Sequence, residues 1–507
     1  MAKALMIQGT MSSVGKSLIT AGLCRVFSQD GYLAAPFKSQ NMALNSFITA
    51  EGLEMGRAQA VQAEAAGKAP DVRMNPILLK PTSESGSQVI LMGKSCGNMR
   101  AREYFDKKPE YIPLIMDAYN SLADENDIIV IEGAGSPVEI NLKKNDIVNM
   151  GMAKMADARV LLVGDIDRGG VFAQLLGTME LLEPDERDRV EGLIINKFRG
   201  DRTILEPGLK MLEGKCKKPV FGVVPWSDVK LEDEDSLSDG LLKKGNGAGI
   251  DIAVIRLKWI SNFTDTDAFG IDEDVSVRYV ERPDDLGDPD MVLIPGSKNT
   301  IADMKLLREN GMEASIRRLA GRETVIFGIC GGYQIMGRSI DDGACTEGGG
   351  EIAGMGLLSV DTVFEKDKKT IQVQGRTCKL SHGFEAISDR HFTGYEIHMG
   401  RSTYLKEEPS CFTQVYITNT DGTGETVPVM EGCVEGSCIG TYIHGIFDDT
   451  DLREALIDML YERRGIVRDR KNRGSYLEYR QEQYDRLAGI LRESMDIDKI
   501  YRMMKIR

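Results

Sequence analysis

Residues 9–17 read GTMSSVGKS, directly after the apolar run Leu5-Met6-Ile7. A phosphate-binding loop usually places four residues between its first glycine and the closing Gly-Lys-Ser/Thr. Here five residues separate Gly9 from Gly15. The physical requirements are still met. A short strand leads into a loop of small residues, and Gly15-Lys16-Ser17 opens a stretch with Ile19, Leu23, Val26 and Phe27 at helical spacing. Backbone N–H groups of such a loop, followed by a helix N-terminus, make a concave positive site for a polyphosphate. Lys16 then reaches the terminal phosphates and the Ser17 hydroxyl helps hold Mg²⁺. A tight turn that merely contains Lys-Ser is the competing reading, and the strand–loop–helix context speaks against it.

Outward from this loop, strand-like runs alternate with helical stretches. Ala4–Ile7, Ile128–Ile131, Val160–Val163, Leu193–Ile195 and Val220–Val224 are apolar and bounded by turn residues. Such alternation predicts an α/β domain with a parallel sheet covered on both faces. The texture changes at KLEDEDSLSDGLLKKGNGAG, charged and then glycine-rich, which reads as a linker. A second alternating series follows, with Ile252–Leu257, Met291–Ile294 and Val325–Ile329, closing near Cys438–Ile443. The expected organisation is a first domain over 1–228, a linker over 229–249, a second α/β domain over 250–450 and a helical extension over 451–507. In that extension Tyr484, Leu487, Leu491 and Met495 share one face suited to packing on a domain.

Bulk properties narrow the function. A chain of 507 residues exceeds one core and predicts two or three domains. A net charge of −15 argues against a nucleic-acid partner and leaves room for a local basic site. No window approaches the ~20 apolar residues of a membrane span, and MAKALMIQGT lacks the layout of an export signal. The nine cysteines show no CxxC pairs, so neither a disulfide framework nor a zinc site is expected, consistent with a reduced, cytoplasmic protein.

Two further stretches suit a nucleotide domain. IIVIEGAGSP ends a buried run with Glu132, at the sheet edge where ligands bind in such folds and where a carboxylate can serve Mg²⁺. VLLVGDIDRGG offers Asp165 and Asp167, and Asn196-Lys197 after Leu193–Ile195 is a candidate base-reading pair. In the second half, VIFGICGGYQIMG carries a strand into Gly328-x-Cys330-x-Gly332 and then a helical stretch. This is the pattern of a nucleophile elbow with cysteine as nucleophile. The helix start favours thiolate, and the Gly331 N–H can help stabilise an oxyanion. A thiol nucleophile needs a base, normally histidine. Only His382, His391, His398 and His444 exist, and spacing alone does not choose between His398 in GYEIHMG and His444 in GTYIHGIF.

Taken together these motifs place the chain among known families. The second half resembles class I-type glutamine amidotransferase domains, in which the base histidine follows a late strand, matching His444. There the Pro295-Gly296-Ser297 loop supplies the second oxyanion donor, making Gly296 and Gly331 the oxyanion pair. The loop spacing of GTMSSVGKS is similar to that of dethiobiotin synthetase. Partitioning ATPases place a second lysine where Met11 stands here. PFKSQNMALNSF, NPILLKP, IEGAGSPVEINL, DIDRGGVFA, NKFRGD and IPGSKNT complete a resemblance to the cobyric acid synthase family over roughly residues 3–490. The resemblance implies amidation of the b, d, e and g propionates of adenosylcobyrinic acid a,c-diamide, with ATP, Mg²⁺ and glutamine. It implies catalytic Cys330 and His444; nucleotide contacts from Thr10, Gly15, Lys16, Ser17 and Asn196; metal contacts from Ser17 and Glu132; and substrate contacts from Lys38, Gln40 and Asn41. Most glutaminases carry a carboxylate two residues after the base histidine. Here Ile446 occupies that position, as in this branch, and the group that orients His444 stays open. Two alternatives accompany this reading: amidation of the a and c acetates, and a regulatory ATPase with a degenerate glutaminase domain. The intact cysteine elbow opposes the second. The sequence leaves the oligomeric state open.

Overall fold

The apolar runs of the first half become strands where their alternation with helical spacing predicts them. The computed structural model describes residues 2–83, 86–231, 249–418, 426–468 and 474–506. Most of the linker expected at 229–249 therefore lies outside the described residues. The chain separates into two compact units that are discontinuous in sequence. One comprises Met1–Ala43, Glu54–Glu232 and Arg480–Arg507; the other comprises Leu44–Leu53 and Asp233–Tyr479.

Among the described residues the first unit has a six-stranded sheet in the order Val220–Pro225, Val190–Phe198, Arg159–Asp165, Lys3–Gly9, Ile128–Glu132, Ala34–Phe37. Every pairing in it is parallel. Leu5, Ile7, Val130 and Leu161 are fully buried, as expected for a sheet covered on both faces. Lys3–Gly9 lies between strands that come later in the chain, so strand order reverses at its carboxyl end. That topological switch point is where open α/β sheets bind ligands, and GTMSSVGKS begins there. The helix Lys16–Gln29 follows directly, with Ile19, Leu23, Val26 and Phe27 all buried.

The helical extension divides between the units. Thr450–Arg463 packs within the second unit, whereas most of Tyr476–Ser494, and all of Ile497–Met504, belong to the first. Tyr484, Leu487, Leu491 and Met495 are buried in the first unit's core. Leu491 approaches Gly22 so closely that a Cβ on that glycine would stand 2.5 Å from Leu491 Cδ1.

The second unit has its own sheet, ordered Val275–Val280, Ile250–Ile255, Met291–Ile294, Val325–Ile329, Cys438–Thr441, Cys433–Glu435. It is parallel except for its last, antiparallel pair. A second, mixed sheet contains the long antiparallel strands Val360–Thr377 and His391–Tyr404. Its alternating exposed and buried residues explain why no apolar run announced it. Among the described residues no helix is long and apolar enough to cross a membrane.

Candidate active sites

In the first unit the phosphate loop turns on Ser13 (φ 59°) and Gly15 (φ 97°). A side chain at Gly15 is excluded twice over: by the left-handed backbone and by Asn196, whose Nδ2 would lie 2.1 Å from a Cβ. Asn196 donates to the Val14 carbonyl at 2.8 Å and Lys197 to the Ser13 carbonyl at 2.8 Å, so the Asn-Lys pair braces the loop. Lys197 also pairs with Asp165 at 2.8 Å, and Arg199 with Asp167 at 3.2 Å. Lys16 folds back over the loop and donates to the Met11 and Gly135 carbonyls at 3.0 and 3.4 Å. The Thr10 hydroxyl donates to Gln174 at 3.2 Å.

Glu132 is the hub of this site. It accepts from the Ser17 hydroxyl at 2.8 Å, Lys38 at 3.0 Å and Gln62 at 2.6 Å. Burial alone would raise its carboxyl pKa, but Lys38, Gln62 and Lys16 outweigh burial and hold it below the ordinary carboxylate range. Gln40 and Asn41 also lie inward. Gln40 accepts from the Tyr104 hydroxyl at 2.7 Å, and Asn41 donates to Gln59 at 2.9 Å. Ser17 and Glu132 form an oxygen donor set suited to Mg²⁺, which takes few protein ligands and fills its octahedron with phosphate oxygens and water.

In the second unit the elbow is built as its sequence suggests. Cys330 sits at φ 52°, ψ −107°, between Val325–Ile329 and the short helix Gly331–Met336. A non-glycine residue held at such a φ costs ~1–3 kcal/mol and persists only where surroundings enforce it. Here the Cys330 N–H is held by the Thr441 carbonyl at 2.8 Å. The following turn needs glycine: a Cβ on Gly332 would stand 1.9 Å from the Ile294 oxygen, and one on Gly331 would stand 2.5 Å from Ser297 N. The same packing brings Gly331 beside the Gly296–Ser297 strand, while His444 Cε1 lies 3.2 Å from the Cβ position of Gly296. Cys330 Sγ lies 3.6 Å from the Ile397 carbonyl oxygen.

The histidines differ in their partners. His398 has both ring nitrogens engaged, with the Gly400 carbonyl at 2.6 Å and Glu396 at 3.0 Å. His391 is exposed and pairs with Asp449 at 2.9 Å. His444 is fully buried, with Nδ1 2.8 Å from Asp265 Oδ2 and Nε2 making no hydrogen bond to a nitrogen or oxygen among the described residues. Asp265 is fixed in turn by the Gly445 N–H, which donates to its other oxygen at 2.8 Å. Burial disfavours charge on the ring, but the Asp265 charge and hydrogen bond outweigh it. With a further contribution from Cys330, they push the His444 pKa up to about 10. Asp265 is the carboxylate paired with His444, a partner that the sequence left unnamed. Its signal was faint: an acid in NFTDTDAF, 179 residues before His444.

Residues 5–237 match the CobQ/CobB/MinD/ParA nucleotide binding domain, and residues 251–452 match the CobB/CobQ-like glutamine amidotransferase domain. A cobyric acid synthase of Ruminiclostridium cellulolyticum is 54% identical over 100% of this chain and 98% of its own length. The chain belongs to the cobyric acid synthase family. A cobyric acid synthase of Lachnoclostridium phytofermentans is 53% identical, over 100% of this chain and 99% of its own. A cobyric acid synthase of Yersinia enterocolitica is 51% identical, over 99% and 98%. As a cobyric acid synthase family member the chain is an ATP-dependent ligase that draws its amide nitrogen from glutamine in cobalamin biosynthesis.

Proposed function

We propose that the chain amidates the b, d, e and g propionates of adenosylcobyrinic acid a,c-diamide to give adenosylcobyric acid, through acyl phosphates and glutamine-derived ammonia. The observation that carries this reading is the joint presence, in one chain, of the Lys16–Ser17–Glu132 phosphate site and the Cys330–His444–Asp265 constellation. A carboxylate is a poor acyl donor. Its oxygen attacks the γ-phosphorus of ATP, ADP leaves, and the acyl phosphate then loses phosphate to ammonia. Lys16 and the loop amides meet the charge on the transferring phosphoryl group. Mg²⁺, held by Ser17 and Glu132, would neutralise phosphate charge.

At the other site the Cys330 thiolate attacks the side-chain amide carbon of glutamine. The N–H groups of Gly296 and Gly331 are the oxyanion donors. His444, protonated at rest, gives its Nε2 proton to the departing ammonia. It then takes a proton from the water that cleaves the glutamyl thioester. Asp265 keeps the ring in the required orientation and balances its charge.

Mass spectrometry of adenosylcobyrinic a,c-diamide incubated with the enzyme, Mg-ATP and glutamine tests this reading. Successive amides up to the fourth are expected. An unchanged corrinoid beside active glutamine hydrolysis would overturn the substrate assignment. Two amides added to cobyrinic acid, and none to its a,c-diamide, would favour the acetates instead.

A further inference from the structure

Leu44–Leu53 is flanked in sequence by first-unit residues yet belongs to the second unit. Its contacts there are specific. The Asn45 side-chain oxygen accepts from the Phe263 N–H at 3.0 Å, and the Asn262 side-chain oxygen accepts from the Ser46 N–H at 3.0 Å. This reciprocal exchange is fully buried at Asn45 and nearly so at Asn262. It clamps the start of the 3₁₀ stretch Phe263–Ile271, which opens from Asn262 in a left-handed conformation, φ 49°. The first N–H groups of a helical segment have no partner within it, and Asn45 supplies one from a distant part of the chain. Asp265 lies two residues further along the same stretch.

The segment also supports the other two members of the constellation. The Ser46 carbonyl accepts from the Tyr395 hydroxyl at 3.2 Å, and the Phe47 and Tyr395 rings lie 6.0 Å apart. The Tyr395 ring stacks on the His444 imidazole, with centroids 5.4 Å apart and planes 23° apart. Ile48 forms a buried apolar cluster with Tyr395 and Ile397, and the Ile397 carbonyl is the group beside Cys330 Sγ.

We propose that Leu44–Leu53 is a positioning element of the glutaminase centre, with Asn45 setting the turn that holds Asp265 against His444. The proposal rests on the Cys330–His444–Asp265 reading of that centre. Asn45 touches none of the reacting groups, so it acts through Asp265. Loosening the turn weakens both the aim of the ring and the charge that keeps it protonated.

The test compares Asn45→Ala, Asn45→Asp and Cys330→Ala in the full chain. Asn45→Ala is expected to lower the glutaminase kcat by roughly 10- to 100-fold, the range for a misplaced catalytic group. KM for glutamine stays within about 2-fold, because the turn holds the base rather than the substrate. The basic limb of the glutaminase pH profile moves to lower pH, because Asp265 holds the His444 proton less firmly. Asn45→Asp, which keeps an oxygen to accept from Phe263, restores most of the rate. Ammonium-supported amidation stays within about 2-fold in both variants. An unchanged glutaminase in Asn45→Ala, a loss that Asn45→Asp does not repair, or an equal loss with ammonium would overturn the proposal. Glutaminase that survives Cys330→Ala would instead overturn the constellation, and the proposal with it.

Discussion

Both chemical centres rest on a buried carboxylate that holds a buried cation, and they differ in how widely that carboxylate is shared. In the first unit Glu132 accepts from Ser17, Lys38 and Gln62, and Lys16 is spent on loop carbonyls. Nucleotide and metal must enter by exchanging partners with groups already bonded to one another. In the second unit Asp265 and His444 are locked together, and the ring's other polar neighbour is the Cys330 thiol. In the first site one carboxylate is shared among three side chains, whereas in the second it serves one ring and the Gly445 N–H.

The sharpest break of that contrast is a pair of variants that should fail differently. Lys16→Ala is expected to abolish amidation with either nitrogen donor, by roughly 10³-fold or more, while leaving glutamine hydrolysis measurable. Cys330→Ala is expected to lose glutamine-dependent amidation and keep the ammonium-dependent reaction. Product assays with both donors separate the two, and a Cys330→Ala enzyme that is folded but dead with ammonium would erase the division.

The next effect tests the carboxylate of the second site. Asp265→Asn should lower glutaminase turnover by roughly 10³- to 10⁴-fold. With the carboxylate gone, burial dominates and the His444 pKa falls from about 10 toward or below its ordinary 6.5. The basic limb of the glutaminase pH profile should then move to lower pH. The sign for stability follows from the raised pKa. The folded state holds a proton that the unfolded chain releases above 6.5, so the stabilisation is complete below that pH and is lost as pH climbs through 10. The melting-temperature gap between the variant and the unaltered protein should therefore narrow between neutrality and pH 10.

The smallest effect probes the exchange of partners in the first site. Glu132→Gln keeps the size and a hydrogen-bonding oxygen but removes the charge. Amidation should fall by roughly 10- to 100-fold and require more Mg²⁺, with glutamine hydrolysis unchanged. A magnesium titration of the amidation rate checks this. An unaltered titration would mean that Glu132 serves Lys38 rather than the metal.

What the sequence revealed depended on locality. The cysteine elbow is legible because its steric demands fall on Gly328, Gly331 and Gly332, within one turn of the nucleophile. The phosphate loop is legible for the same reason. The parallel strands show as continuous apolar runs because both faces are covered. By contrast, Val360–Thr377 and His391–Tyr404 alternate polar and apolar residues and left no such run. Asp265 was illegible because its partner is remote in the chain and three acids crowd NFTDTDAFGID. The brace at Asn45 was harder still, since its meaning lies in the N–H of Phe263.

The discontinuity of the second unit bears on how the gene can be dissected. A cut at residue 249 gives a downstream fragment that carries Cys330, His444 and Asp265 but not Leu44–Leu53. The upstream fragment in turn lacks Arg480–Arg507, whose Leu487 and Leu491 close over Gly22. Two open reading frames split at that point would each encode an incomplete protein. On the proposed role of Leu44–Leu53, a minimal glutaminase carries that segment grafted back, as a circularly rearranged chain or a supplied peptide.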